Sequence, residues 1–132
     1  MYTVTVTARF SAAHRLREYQ GNCERLHGHN WEVRLTAVAE QVDAGGMVVD
    51  FRELRELLRN TVAPFDHTVL NETPPFDRIN PTAENVACHV FDAVKQAGMT
   101  GTARILRVSV AESEGSWASY APGSHRFEEE EM

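Results

Sequence analysis

The fold of this chain is decided by one stretch, His27-Gly28-His29-Asn30-Trp31-Glu32-Val33-Arg34-Leu35-Thr36-Ala37-Val38-Ala39-Glu40. If the stretch is extended, alternation places both histidines on the same face as Trp31 and Leu35. Glu32 and Arg34 then lie mostly on the opposite face. The stretch therefore predicts a half-buried strand. The first residues of this strand direct two imidazoles toward the core.

A third histidine lies upstream, where the run Phe10-Ser11-Ala12-Ala13-His14 ends. Catalytic zinc typically keeps three protein ligands and one open position, and three neutral imidazoles form an accepted set. His14, His27 and His29 are therefore candidate metal ligands. The alternative is a set of core histidines that are satisfied by hydrogen bonds. Buried rings need partners, and Gly28 removes a side chain where the backbone approaches something closely, so the metal interpretation is favoured.

Length and charge limit the possible functions. The 132 residues suffice for one domain with a real core. The net charge of −6 does not favour a general nucleic-acid or anionic-membrane surface. No apolar run approaches the length that spans a bilayer, and the N-terminus lacks the pattern of a secretion signal. The predicted location is the cytoplasm.

The two cysteines have different surroundings. In a cytosolic chain a single possible pair more often holds free thiols than a disulfide. Cys88 lies in an apolar helical pattern and is interpreted as a small buried hydrophobic residue. Cys23 lies in a polar loop near the histidines with Arg25 close by, and positive charge lowers the pKa of a thiol. Cys23 is therefore a candidate reactive group.

The first half of the chain predicts two strands and a helix. Alternation over residues 2–10 indicates a strand that precedes the histidine strand. Asp50 is placed to cap the following helix, and Glu53 would complete a capping box. The helical pattern stops at Pro64.

The second half predicts a helix and two strands. Either Asn80 or Thr82 caps the helix, and Gly98 follows its last apolar residue. Alternation resumes over residues 103–112, and residues 117–120 can form a short final strand.

These elements predict an α+β domain with a four-stranded antiparallel sheet, two helices on one face and the order ββααββ. The domain is expected to span residues 1–122. Residues 123–132 end in a run of glutamates and are interpreted as an acidic, solvated tail. Because such a sheet has exposed edges, oligomerisation is expected to cover them.

A series of motifs resembles the 6-pyruvoyl-tetrahydropterin synthase family. The motifs occur in order and reach nearly the whole domain: Phe10-Ser11-Ala12-Ala13-His14, Cys23-x-x-x-His27-Gly28-His29-Asn30, Val49-Asp50-Phe51, Asp66-His67-x-x-Leu70-Asn71, Asn80-Pro81-Thr82-Ala83-Glu84-Asn85, and Glu112 followed by Tyr120. The resemblance implies the tunnelling fold (T-fold), in which chains pack into barrels. It also implies a homo-oligomer, commonly a hexamer of two trimers, with active sites at subunit interfaces.

The short spacing from Cys23 to His27 resembles the 6-carboxy-tetrahydropterin synthase branch of 7-deazaguanine (queuosine-type) biosynthesis. The implied reaction converts 7,8-dihydroneopterin triphosphate and water to 6-carboxy-5,6,7,8-tetrahydropterin, acetaldehyde and triphosphate. One alternative is triphosphate elimination to 6-pyruvoyl-tetrahydropterin. Another is a pterin-binding module of the same fold without turnover.

The resemblance also implies residue roles. It assigns zinc to His14, His27 and His29, the general base to Cys23, a proton-relay pair to Asp66 and His67, and the pterin anchor to Glu112. The residue types suit this chemistry, since zinc acidifies hydroxyl groups and weak bases can then move protons.

Two of these roles can be compared with plainer interpretations. Asp66 and His67 could simply cap and hydrogen-bond loops. Glu112 shares a face with Val108 and Val110, and a carboxylate at the end of an apolar stripe needs a partner. The two parallel N–H donors of a pterin edge would satisfy both oxygens. The residues after Glu112 depart from the threonine-containing run that the family leads us to expect.

Overall fold

The computed structural model describes residues 1–19 and 24–123. Within these residues the fold consists of two α-helices and five strands. The strands are β1 (Tyr2–His14), β2 (His27–Ala39), β3 (Thr68–Val69), β4 (Arg104–Ser113) and β5 (Ser116–Tyr120), and the helices are α1 (Phe51–Val62) and α2 (Ala83–Ala97). Short 3₁₀ helices, Ala63–Phe65 and Leu70–Glu72, flank β3.

The strands form one mixed sheet in the order β3-β1-β2-β4-β5. Three neighbouring pairs are antiparallel, and β3 runs parallel to β1. β1 and β2 pair along their full length, from Tyr2 opposite Ala39 to His14 opposite His27. This register brings two of the candidate ligands together at one end of the sheet.

The predicted four-stranded antiparallel sheet and the order ββααββ are wrong. The sheet has five strands, one of them parallel, and the order of strands and α-helices is ββαβαββ. The missed strand β3 consists of Thr68 and Val69, which pair with Ala12 and Ala13. Two residues are too few to show alternation, so this pairing depends on contacts that are distant in sequence.

Both helices pack on the same face of the sheet, as predicted. The inward residues of the strands and the apolar faces of the helices form one core. Its fully buried side chains include Trp31, Leu35, Leu54, Leu58 and Val90. The opposite face of β1 carries exposed threonines and Arg9, which explains why that strand alternates so clearly.

The helix ends follow the predicted caps in part. Asp50 accepts a hydrogen bond from Arg52 N at 2.8 Å, and Thr82, not Asn80, caps α2. Gly98 has φ of 81° after the last helical residue, a conformation that favours glycine. The capping box does not form, because the Glu53 carboxylate instead accepts from Thr100 N at 2.9 Å and Thr100 Oγ1 at 2.7 Å.

In the described part of the chain, no helix combines the length and the apolar character that crossing a membrane requires. The predicted acidic tail, residues 123–132, lies outside the described residues apart from Gly123. The predicted domain boundary therefore stays a prediction.

Candidate active site

The three histidines named from sequence converge at one end of the β1–β2 pair. His14 lies opposite His27, and His29 lies opposite Ala12, two residues before His14. Ring centroids are 4.8 Å apart for His14 and His27, 5.1 Å for His14 and His29, and 4.7 Å for His27 and His29. One ring nitrogen from each lies within 4.8 Å of the other two. The cluster is therefore compact enough to hold one metal ion.

The hydrogen bonds of two rings determine which nitrogens are available to a ligand. His14 Nδ1 is 2.8 Å from Pro81 O, and His27 Nδ1 is 2.8 Å from Arg25 O. A carbonyl oxygen only accepts, so each Nδ1 carries a proton, and in a neutral imidazole the Nε2 then keeps its lone pair. A backbone carbonyl at the second nitrogen is a common arrangement for metal-binding histidines.

Two of the other ring nitrogens lack partners among the described residues. His14 Nε2 and His29 Nε2 are buried and form no hydrogen bond with any residue that the structure describes. Leaving a buried polar atom unpaired costs about 1–3 kcal/mol. A cation bound between the rings would satisfy these atoms, so the donor set fits a metal ion by its own chemistry. The tetrahedral sites of zinc accept such imidazoles.

Burial also favours the neutral form of the His29 ring. It lowers the pKa of His29, and the nearby His14 and His27 lower it further, while Glu112 opposes the shift. Neutral imidazole is the form that binds metals. His29 is therefore prepared for coordination at neutral pH.

Glu112 reaches the cluster from β4. Its Oε2 lies 3.5 Å from His14 Nε2, which is longer than a normal hydrogen bond. With the proton of His14 on Nδ1, both facing atoms are acceptors, and only a cation or a proton between them makes the approach favourable. Glu112 also lines a depression of about 560 Å³ together with Thr82, Glu84 and Trp117.

Asp66 and His67 form a pair at the β3 edge of the sheet. His67 Nδ1 is 3.0 Å from Asp66 Oδ2, and Ser11 N donates to Asp66 Oδ1 at 2.9 Å. The hydrogen bond from Ser11, followed by contact with His67, lowers the pKa of Asp66. The His67 side chain is 82% exposed. The carboxylate therefore orients an imidazole that is open to solvent.

The Asp66–His67 pair and the histidine cluster are neighbours. A depression of about 360 Å³ is lined by His67 and His29, together with Ser11 and Asn30. His67 has φ of 59°, a left-handed conformation that is uncommon for a residue other than glycine. The turn at His67 allows the chain to run from α1 alongside β1.

The family model for 6-pyruvoyl tetrahydropterin synthase matches residues 3–123. The chain belongs to this family. The resemblance noted in the sequence is thus confirmed, and the chain is an enzyme of the tetrahydropterin synthase family.

Individual relatives agree with this membership. The chain is 34% identical to 6-carboxy-5,6,7,8-tetrahydropterin synthase of Bacillus subtilis, over 85% of this chain and 80% of the relative. It is 30% identical to human 6-pyruvoyl tetrahydrobiopterin synthase, over 84% and 85% of the two chains. The fold is similar to that of 6-pyruvoyl tetrahydropterin synthase from Caenorhabditis elegans, with a TM-score of 0.80, 23% identity and coverage of 92% and 96%.

Cys23, predicted as the general base, lies outside the described residues. The described residues around it show where its loop is attached. Glu24 N donates to Leu16 O at 3.0 Å, and Leu16 N donates to Glu24 Oε1 at 3.1 Å. These bonds join the two ends of the loop close to the histidine strands.

Sequence reasoning missed several polar groups that support the site. Asn71 bonds Arg15 N and O, at 2.9 Å each, and Asn80 bonds Arg17 N and O at 2.9 and 3.3 Å. Pro81 O was missed as the partner of His14. The two asparagines lie in motifs that the sequence did display, but their targets are main-chain atoms more than fifty residues away. No local pattern identifies such targets.

Proposed function

We propose that this enzyme is a zinc-dependent 6-carboxy-5,6,7,8-tetrahydropterin synthase. It converts 7,8-dihydroneopterin triphosphate and water to 6-carboxytetrahydropterin, acetaldehyde and triphosphate. The observation that carries the proposal is the convergence of three imidazoles, two of them with buried unpaired nitrogens, beside the Asp66–His67 pair and Glu112. The Bacillus subtilis relative and the short spacing from Cys23 to His27 support the carboxy branch.

The histidine cluster is the proposed zinc site. His14, His27 and His29 would hold the ion, and zinc when bound supplies Lewis-acid chemistry that acidifies hydroxyl groups of a ligand. We expect close to one zinc per chain. His27→Ala and His29→Ala should each empty the site, and full occupancy in both variants would contradict the assignment.

Proton transfer is assigned to three other residues. Cys23, as thiolate, removes a proton from the substrate side chain. His67 returns a proton, and Asp66 fixes its ring by the contact of 3.0 Å. A depression that both His67 and His29 line supports this division.

Glu112 is the proposed anchor of the pterin ring. Its two oxygens can accept the parallel N–H donors of the amino-pyrimidinone edge. The depression of about 560 Å³ beside it has both polar and aromatic lining, with Thr82 and Trp117 among its residues. That lining suits a flat, polar heterocycle.

The second candidate is formation of 6-pyruvoyl-tetrahydropterin, which the similarity to the human relative favours. Both reactions release triphosphate, so only the fate of the side chain separates them. Incubation of the zinc-loaded enzyme with 7,8-dihydroneopterin triphosphate should yield acetaldehyde in step with a carboxylated tetrahydropterin. Abundant pyruvoyl product without acetaldehyde would establish the second candidate instead.

A pterin-binding module without turnover is the third candidate. It predicts bound pterin and intact zinc with no product of either kind.

We place the reaction in 7-deazaguanine (queuosine-type) biosynthesis in the cytoplasm, and the enzyme in a hexamer of two trimers whose sites lie at subunit interfaces.

A further inference from the structure

The turn that begins α2 also contacts the histidine cluster. Pro81 O accepts the Nδ1 proton of His14 at 2.8 Å, and the His14 side chain is only 1% exposed. This hydrogen bond fixes both the orientation of the ring and the nitrogen that keeps its lone pair. The position of one carbonyl group therefore controls what His14 can bind.

Asn85 and Thr82 close the turn around that carbonyl. Thr82 N donates to Asn80 O at 2.8 Å, and Asn85 Nδ2 donates to the same oxygen at 2.9 Å. Pro81 therefore lies between Asn80 and Thr82, whose main-chain atoms these two hydrogen bonds hold in place. The amide of Asn85 thus spans the turn from the helix back to its first residue.

The same turn is attached to the chain that leaves His14. The Asn80 side chain accepts from Arg17 N at 2.9 Å and donates to Arg17 O at 3.3 Å. Arg17 follows His14 by three residues. The ligand and the carbonyl that orients it are consequently tied together through Asn80.

Helix capping does not account for the Asn85 side chain. Thr82 Oγ1 caps α2 by accepting from the main-chain N of Asn85 at 3.1 Å. The Asn85 amide points the other way, to Asn80 O. Its target is the turn, and the turn presents Pro81 O to the metal centre.

We infer that Asn85 is a positioning residue of the metal centre, which holds Pro81 O so that His14 keeps Nδ1 protonated and Nε2 free for the ion. The inference rests on the proposed zinc site. Groups that hydrogen-bond to metal-binding histidines fix the tautomer and raise the affinity of the site. Asn85 acts one step further out, through the main chain of the turn.

Asn85→Asp tests this role sharply. The variant keeps the size of the side chain but removes the donor to Asn80 O. An acidic residue in the first turn favours the helix, and added negative charge by itself favours cation binding. We expect zinc affinity, measured by competition with a chelator, to fall roughly tenfold or more, as for other supporting partners of metal ligands.

Asn60→Asp is the matched control. It makes the same chemical change at an exposed position of α1, and it should leave zinc affinity unchanged. Asn85→Ala is the second variant, which removes the donor without adding charge. Asn85→Ala replaces Asn85→Asp in the zinc measurement if the Asp variant unfolds below the assay temperature.

A second measurement needs neither metal nor turnover. Nitrogen NMR of the imidazole in metal-free protein should show His14 with the proton on Nδ1 in the wild type and a mixture of tautomers in Asn85→Asp. Unchanged zinc affinity and an unchanged His14 tautomer in both Asn85 variants would overturn the inference alone. A wild-type protein that binds no zinc would overturn the proposed metal site together with it.

Discussion

Single side chains determine the chemistry of the cluster. Two main-chain carbonyls accept hydrogen bonds from Nδ1 of His14 and His27, which leaves the Nε2 atoms of these rings available to a ligand. Trp31 closes the inner side of the cluster, with its ring centroid 4.9 Å from that of His14. Its Nε1 donates to Ala12 O at 3.2 Å. The indole therefore packs against the cluster without donating a hydrogen bond to the histidine nitrogens.

Cys23→Ala separates a base from a metal ligand. We expect the variant to keep zinc, assembly and pterin binding but to lose turnover by orders of magnitude, since a positioned proton-transfer group contributes roughly 10²–10⁴-fold. Cys88→Ala is the control, because Cys88 lies on α2 beside Asp92 and Tyr120 and its pKa is raised by burial. Near-normal turnover in Cys23→Ala would show that the thiol is not the base.

Glu112→Gln tests the ring anchor. The amide keeps the shape but replaces one acceptor with a donor, so pterin affinity should fall by about 2 kcal/mol, as for a lost charge-assisted bond. Glu114→Gln, at an exposed position two residues on, should have no effect. Titration calorimetry with a pterin measures both variants, and zinc content should stay constant. Loss of zinc in Glu112→Gln would instead make this residue part of the metal site.

At the scale of elements, one carboxylate joins α1 to the loop that follows α2. Glu53 at the start of α1 accepts two hydrogen bonds from Thr100, which lies between α2 and β4. These bonds, first the main-chain and then the hydroxyl donor, lower the pKa of Glu53. The ionised form is therefore favoured in the folded state.

The stability of this connection should depend on pH. Because the folded pKa of Glu53 is below its ordinary value, the contribution is complete above the ordinary pKa and is lost as pH falls through the folded pKa. Glu53→Gln should therefore destabilise the fold modestly at neutral pH, by roughly 0.2–1 kcal/mol, because solvent screens so exposed a carboxylate. The difference from wild type should shrink in acid. Glu56→Gln, exposed on the same helix, is the control for urea unfolding at each pH.

At the scale of the whole molecule, the sheet has two open edges. β3 pairs with β1 only at Ala12 and Ala13, so within the described chain most of β1 has a strand on one side alone. β5 forms the other edge. Unpaired strand edges favour association with further chains.

We predict that the protein is a hexamer in solution. Light scattering after gel filtration should give about six times the chain mass of 14.8 kDa, the two stacked trimers that the family resemblance implies, and pairing of edge strands within each trimer would cover the open edges. A monomer at micromolar concentration would contradict the proposed assembly and the proposed interface sites. Zinc binding by the monomer would still be expected, since all three histidines come from one chain.

Local pattern was sufficient for much of this protein. Alternation in β2 requires only its own residues, so the inward direction of His27 and His29 and the burial of Trp31 followed from sequence. Both helices, the cap at Asp50 and the end at Gly98 likewise depend on near neighbours in the chain. The family motifs suggested the proposed roles of Asp66, His67 and Glu112, which the geometry alone would not name.

Contacts across the chain decided the rest. The parallel strand β3 exists because Thr68 and Val69 meet an edge of β1, and two residues carry no periodic signal of their own. Glu53 does not form the predicted capping box, because in the folded state its carboxylate accepts two hydrogen bonds from Thr100. Pro81 O became the partner of His14 because the register of the sheet and the turn before α2 bring residues 67 positions apart to 2.8 Å. The sequence specifies such long-range contacts only through the whole fold. Every residue type has a main-chain carbonyl, so the type of the acceptor residue does not indicate that it accepts a hydrogen bond.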